Sequence, residues 1–566
     1  MPDRKRLNLV LCWHMHQPQY QSLHDGRYQQ PWVYLHGIKD YVDMAAHIEA
    51  VPEARAVVNF SPILLDQIED YVDQVQAFLR DGTPLKDPLL GVLAGQYPST
   101  GPERAALIES YLRANKMRVI ERFPVYQRLV EMAGSMSANP ELAGYLNDHY
   151  LMDLAVWYHL AWLGETVRRT DTRIEPFIKQ GHGFGGDCGR SLLVIIAELL
   201  AGLVPRYRKL AQSGQVELSF TPYSHPIVPL LLDFGVARES QPDLPLPEST
   251  YYPGGEARAR QQIQEGQTVF ARYFGFRPTG CWPAEGALSA QTLTLLEDAG
   301  IHWTASGERV LRHTMTASES EWLESGRHRA YREPGRKLNC FFRDDGLSDL
   351  IGFSYAEWHA DDAITNLIEH LENIASGAKD DPTTLVSIIM DGENAWEYYP
   401  ENGYHFLKVL YQRLTQHPNI RLTTFSEYLH KGHEALPLPP LVAESWVNGT
   451  LATWIGDPDK NRAWDILVQA KIVFDRVMAA GHLSDGERAE AERALAICEG
   501  SDWCWWFGDY NPPDAVVQFD RLYRLHIGNL YRILGEATPD LVKEIFTHEG
   551  IRQPAGRGVM RTSGAL

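Results

Sequence analysis

Cysteine is scarce in this chain: Cys12, Cys188, Cys281, Cys340, Cys498 and Cys504 are the whole stock in 566 residues. No pair has Cys-x-x-Cys or zinc-finger spacing, which excludes a disulfide frame or a thiolate metal site as the organising device. Reduced, mostly buried thiols are expected. Positive charge is short as well. With 53 Lys+Arg against 73 Asp+Glu the net charge is −20, which opposes nucleic acid or an anionic membrane as main partner. Long apolar runs are missing. The longest, residues 192–204, contains Glu198 and is shorter than a bilayer span. The apolar run at 7–13 includes Asn8 and leads into His14 and His16 with no small-residue cleavage site, so it reads as a first strand rather than a signal segment. A soluble, cytoplasmic protein is expected. No repeat of solenoid or propeller period is present.

The chain is rich in apolar and aromatic residues: 44% hydrophobic, with 15 Trp, 26 Tyr and 19 Phe. That stock supports a large core and offers flat rings to sugar faces. Length alone suggests two to four domains, or one large barrel with an appendage. Strand-like runs at 7–13, 56–60, 216–220, 280–282, 302–305 and 385–390 alternate with helical patterns, and this alternation predicts a parallel sheet covered by helices. Ser61-Pro62 is a helix start, with Ser61 expected as N-cap. Residues 101–165 read as a helical insertion. The Pro-rich segment at 435–441 marks the expected end of a domain over 1–435, followed by a helical domain over 436–548 and a mobile tail over 549–566.

In parallel α/β folds, ligands meet the C-terminal ends of strands, so polar residues that follow strand-like runs are the candidates. After the first run come His14-Met15-His16-Gln17-Pro18. Two His at i and i+2 on an extended segment point the same way, which suits one ligand, a metal pair or a capped strand end. The run 216–220 ends in a proline-rich turn bearing His225. Trp282-Pro283-Ala284-Glu285-Gly286 places a carboxylate just before the helical pattern LSAQTLTLLEDAG, where a helix N-terminus would keep it ionised. The run 385–390 delivers Asp391, Glu393, Asn394 and Trp396, and two acids at the mouth of a buried strand are costly without function. In the helical part, SDWCWWFGDY concentrates Trp505, its Trp neighbours and Asp509, as a sugar platform or a domain-interface plug.

Taken in order, HMHQP, GQVELSFTPYSHP, CWPAEG, MDGENAWE and SDWCWWFGDY resemble the motifs of glycoside hydrolase family 57, an α-glucan-acting family with a retaining mechanism. The resemblance spans residues 14–510. It implies an incomplete, seven-stranded (β/α) barrel followed by an all-helical domain that closes the cleft. It also implies Glu285 as nucleophile and Asp391 as general acid/base. His14, His16, Gln17, His225, Trp282, Glu393 and Trp396 would contact substrate from the barrel, with Trp505 and Asp509 closing from the helical side. No metal or cofactor is implied, and the partner would be an α-glucan oligo- or polysaccharide. Branching members tend to carry Cys after the nucleophile. Gly286 stands there in this chain, which looks more like the amylase-type subgroup. Glucanotransferase, amylopullulanase or branching activity on the same site remains an alternative. So do a metal-dependent α-mannosidase or polysaccharide deacetylase and a non-catalytic glycan-binding protein.

Overall fold

A computed structural model describes residues 6–137, 144–320, 324–378 and 381–548, so the expected tail over 549–566 lies outside the described residues. Ten strands form one curled sheet: β1 (Leu7–Met15), β2 (Ala56–Phe60), β3 (Val216–Phe220), β4 (Gly280–Cys281), β5 (Trp303–Ser306), β6 (Tyr331–Arg332), β7 (Asn339–Phe342), β8 (Leu385–Asp391), β9 (Ile420–Leu422) and β10 (Leu436–Pro437). Seven of them run parallel in the order β7-β5-β4-β3-β2-β1-β8. The outer members of this series, β7 and β8, do not share a ladder. They meet through the Asp344 amide, which donates to the Ser387 carbonyl at 2.8 Å. Arg343 Nε adds a bond to the Ile389 carbonyl at 2.8 Å. An arginine therefore fills the seam of the incomplete barrel.

Period-2 alternation sorts the strand side chains into two cores. On β1, Leu9, Leu11, Trp13 and Met15 join the large core beneath the covering helices, whereas Val10 and Cys12 join a smaller core with Val57, Trp303, Phe341 and Ile389. The smaller core is the barrel lumen. Phe425 and Tyr428, on the short helix Phe425–His430, belong to it as well. His14 and His16 continue the Val10–Cys12 face, and Asp391 continues that of Ile389. The same alternation that packs the lumen thus delivers polar groups to its upper mouth.

The helix Gly186–Gln212 carries the apolar run noted above and is long and apolar enough to cross a membrane. Here its stripe of Leu192, Leu193, Ile196, Leu200 and Leu203 is buried in the large core. The insertion is helical, as expected, in pieces: Gly101–Tyr111, Pro124–Ser137 and Asp148–Trp162. The C-terminal region holds the helices Pro458–Ala480, Asp485–Cys498, Asp502–Trp506 and Pro513–Ile533.

Two details differ from the sequence reading. The boundary expected at 435 falls against a strand, because Leu436 and Pro437 pair with Tyr331 and Arg332 at the outer edge of the sheet. Proline is tolerated on an edge strand, where no partner needs its missing N–H. Ser61 occupies the N-cap position of the helix Pro62–Asp81, yet its side chain makes no cap bond. Its hydroxyl is bonded to His16 Nδ1 at 2.8 Å instead.

Candidate active site

Strand register brings the polar groups level. His14 lies opposite Asn59 on β2 and opposite Asp391 on β8, and Asn59 lies opposite Ser219 on β3. Four strands therefore present one row of polar side chains at their C-terminal ends. Asn59 Oδ1 accepts from the Thr221 hydroxyl at 2.9 Å and is 2.7 Å from His14 Nδ1, while its amide donates to Ser219 at 3.0 Å. An acceptor at that nitrogen puts the His14 proton on Nδ1 and leaves Nε2 to accept. His225 Nε2, 3.1 Å away, is then the donor, and its Nδ1 accepts from the Ser501 hydroxyl at 2.8 Å. Both imidazoles are buried. Burial, followed by the charge of neighbouring histidines, lowers His14 to about 3 and holds His225 well below the usual range. They work as neutral hydrogen-bond links.

His16 bonds Asp502 Oδ1 through Nε2 at 2.9 Å, tying the barrel mouth to the helical region. His16, His225 and Asp502 offer ligand atoms within 4.8 Å of one another. The His16 and His225 rings, however, are stacked, with centroids 3.8 Å apart and planes 15° apart. In-plane nitrogen lone pairs on parallel rings run side by side. An ion at the usual ~2.0–2.1 Å from both nitrogens would sit well outside at least one ring plane. The cluster fits a hydrogen-bond relay better than a metal centre.

Glu285 stands in the turn Ala284–Gly286 rather than at the start of the next helix, which runs Ala290–Asp298 with Ser289 as its N-cap. Its φ of 54° lies in the left-handed region, a conformation that costs a non-glycine residue about 1–3 kcal/mol and must be held by its surroundings. Its carboxylate Oε2 accepts from the Trp446 indole at 2.9 Å. A donor aimed at a carboxylate favours the charged form.

Asp391 ends β8 on the opposite side of the same cavity. Burial raises its carboxyl above the usual range, opposed by the Asn394 amide at 2.7 Å and by His16 and Arg343. Glu393 is fully buried. Burial, then Asp391 and Asp40, push it well above the usual range, although Oε1 accepts from the His16 amide and the Gln17 side chain, both at 3.3 Å. All three acids accept hydrogen bonds in one cleft, and burial pushes Asp391 and Glu393 toward their neutral forms. An environment that pushes a carboxyl group toward its neutral form suits it to the role of an acid.

The cavity wall includes His14, His16, Gln17, Glu285, Asp391, Glu393 and Trp505 from the expected set. Four expected contacts stand elsewhere. His225 is buried behind His14 and His16. Trp282 is fully buried beneath Trp446, edge-on at 5.0 Å. Trp396 packs in the large core against Trp13, with its indole spent on the Gly392 carbonyl at 2.8 Å. Asp509 is exposed and absent from the wall. In each case the sequence showed a residue near a strand or helix end and left its direction open. The wall also holds Arg343, Trp446, Asp502 and Trp506, which were not singled out. Asp502 and Trp506 lay inside a quoted motif, but Arg343 and Trp446 carried no local signal.

A profile of glycosyl hydrolase family 57 matches residues 10–439. The chain belongs to glycosyl hydrolase family 57. Its fold is shared with a GH57-type branching enzyme from Pyrococcus horikoshii, at TM-score 0.59 and 16% identity over 99% of this chain and all of that one. A GH57 branching enzyme from Thermococcus kodakaraensis aligns at 0.57 and 14% identity, covering 95% and 94% of the two chains. An α-amylase from Thermotoga maritima aligns at 0.56 and 14%, covering 95% and 96%. No curated protein sequence resembles the chain closely enough to count as a match. As a family 57 member the chain is a glycoside hydrolase by class, with the curled, mostly parallel barrel and helical C-terminal region of these structures.

Proposed function

We propose that this family 57 enzyme cleaves α-1,4-linked glucans with retention of configuration, through a covalent glycosyl-enzyme. The observation that carries the reading is the cavity shared by Glu285, which accepts the Trp446 N–H, and Asp391, which burial raises. Glu285 attacks the anomeric carbon. Protonated Asp391 gives its proton to the departing glycosidic oxygen, which leaves with the bonding pair. Asp391, now ionised, takes a proton from water as the water oxygen attacks the anomeric carbon, and the Glu285 carboxylate departs with the bonding pair. His14 and His16 line the cavity, and their bonds to Asn59, His225, Ser61 and Asp502 hold its wall in shape. The structural relatives named as α-amylase and branching enzymes support an α-glucan as substrate.

Incubation with maltoheptaose and chromatography of the products is the test. Shortened products alone support hydrolysis, and products both longer and shorter than the substrate replace water by a sugar acceptor on the same intermediate. No change in chain length overturns the reading. Two carboxyl groups need no Lewis acid, so EDTA leaves activity on amylose unchanged. Activity lost to EDTA and restored by stoichiometric zinc would favour the mannosidase- or deacetylase-like chemistry.

A further inference from the structure

The proposed nucleophile is held from outside the barrel series. Residues 442–448 follow the last edge strand and return across the barrel mouth beside the turn that carries Glu285. Leu288 and Glu444 form an isolated antiparallel bridge, with amide-to-carbonyl bonds of 2.9 and 3.1 Å. The Trp446 amide donates to the Glu285 carbonyl at 3.1 Å, and the Trp446 indole donates to the same residue's carboxylate at 2.9 Å. One residue thus clamps both the backbone and the side chain of a glutamate whose φ is left-handed. The ring itself is wedged. Arg343 lies over it at 5.0 Å, Trp282 meets it edge-on at 5.0 Å, and a Cβ added at Gly307 would stand 2.8 Å from its Cα.

The strap is anchored upstream. The Val442 amide bonds Thr314 at 3.1 Å, the Ala443 amide bonds Glu239 at 2.8 Å, and the buried Glu444 carboxylate bonds His313 Nδ1 at 2.7 Å. We propose that Trp446 is the positioning residue of the Glu285 carboxylate, delivered by this strap and anchored through Glu444. The inference rests on the reading of Glu285 as nucleophile. Indole N–H is a donor only, so its bond both fixes one carboxylate oxygen and favours the ionised form that attacks.

Trp446→Phe keeps a ring and removes the donor. Measured on an α-glucosyl fluoride, which needs little acid assistance, its kcat falls about tenfold with KM within about twofold, as expected when the nucleophile is displaced while the substrate's own contacts are kept. The acid limb of kcat/KM moves up by about one pH unit. Gly307→Ala supplies a second route, because its methyl group must displace the Trp446 backbone while Trp446 and Glu285 stay intact. It shifts the acid limb in the same direction. A lowered melting temperature with an unmoved limb in the folded fraction of either variant marks Trp446 as packing only and overturns the proposal. If Trp446→Phe does not fold, the Gly307→Ala profile decides. Glu285→Gln, run alongside, separates the two readings. Retained turnover there removes the nucleophile assignment itself, whereas an inactive Glu285→Gln with unmoved acid limbs removes only the strap.

Discussion

Glu285 and Asp391 differ less in chemistry than in what surrounds them, and that difference can be tested one residue at a time. Asn394 donates to Asp391 at 2.7 Å and favours its ionised form. Removing that donor in Asn394→Ala lets Asp391 keep its proton to higher pH. The alkaline limb of kcat therefore moves upward, read from a pH–rate profile on an unactivated glucan, and a downward shift would contradict the assignment of Asp391 as the acid. Asp391→Ala on an activated substrate still forms the glycosyl-enzyme but cannot activate water. Added azide then restores turnover by attacking the intermediate, with retained configuration in the azide product. Rescue of Glu285→Gln with retained product, and an inverted azide product from Asp391→Ala, would exchange the two roles.

Helix starts show how an element and a site compete for one hydroxyl. Ser484 caps the helix Asp485–Cys498 in a reciprocal capping box with Glu487, and Ser484→Ala is expected to cost about 1 kcal/mol of stability by chemical denaturation. Ser61 holds the same position on Pro62–Asp81 but bonds His16 rather than the helix amides. Ser61→Ala accordingly lowers turnover, while its effect on the denaturation midpoint stays smaller than that of Ser484→Ala. The reverse ranking would restore Ser61 to ordinary capping. Pro62 and the left-handed Gly82 still define that helix from sequence-readable chemistry.

At the scale of the molecule, the barrel and the C-terminal helices are joined by buried polar contacts that converge near the site. Arg258 bonds Glu499 bidentately, at 2.7 and 3.0 Å, with Tyr252 and Gln262 each adding a bond of 2.7 Å to the same carboxylate. Two residues further along, the Ser501 amide donates to the His225 carbonyl at 3.0 Å, and Asp502 then reaches His16. Glu499→Ala leaves the Arg258 charge buried without its main partner, a change that typically costs about 3–5 kcal/mol. Differential scanning calorimetry should show that loss together with a fall in activity, because the segment carrying Ser501 and Asp502 starts at this anchor. Trp505→Ala should weaken substrate use with little loss of stability, since Trp505 lines the cavity and is only partly buried. A large fall in melting temperature with unchanged kinetic constants would make it an interface plug.

Much of this protein was readable before any coordinates. Short apolar runs followed by turn or helix-start chemistry located β1, β2, β3, β4, β5 and β8, because a buried parallel strand reads as a continuous apolar run. The polar groups that follow them fell where a parallel sheet must present them. β6, β7, β9 and β10 are two to four residues long, as β4 and β5 are, but each contains an Arg, Asn or Pro, and they appear only once neighbouring strands supply hydrogen bonds. The sequence determined which residue types reach the barrel mouth. Tertiary structure decided which of them face it: Trp396 turned into the core, Trp282 went beneath Trp446, and Asp509 stayed in solvent while Asp502 closed on His16. Arg343 at the barrel seam and Trp446 on a returning strap gained their places through contacts 46 and more residues away in the chain, and no local pattern encodes such contacts.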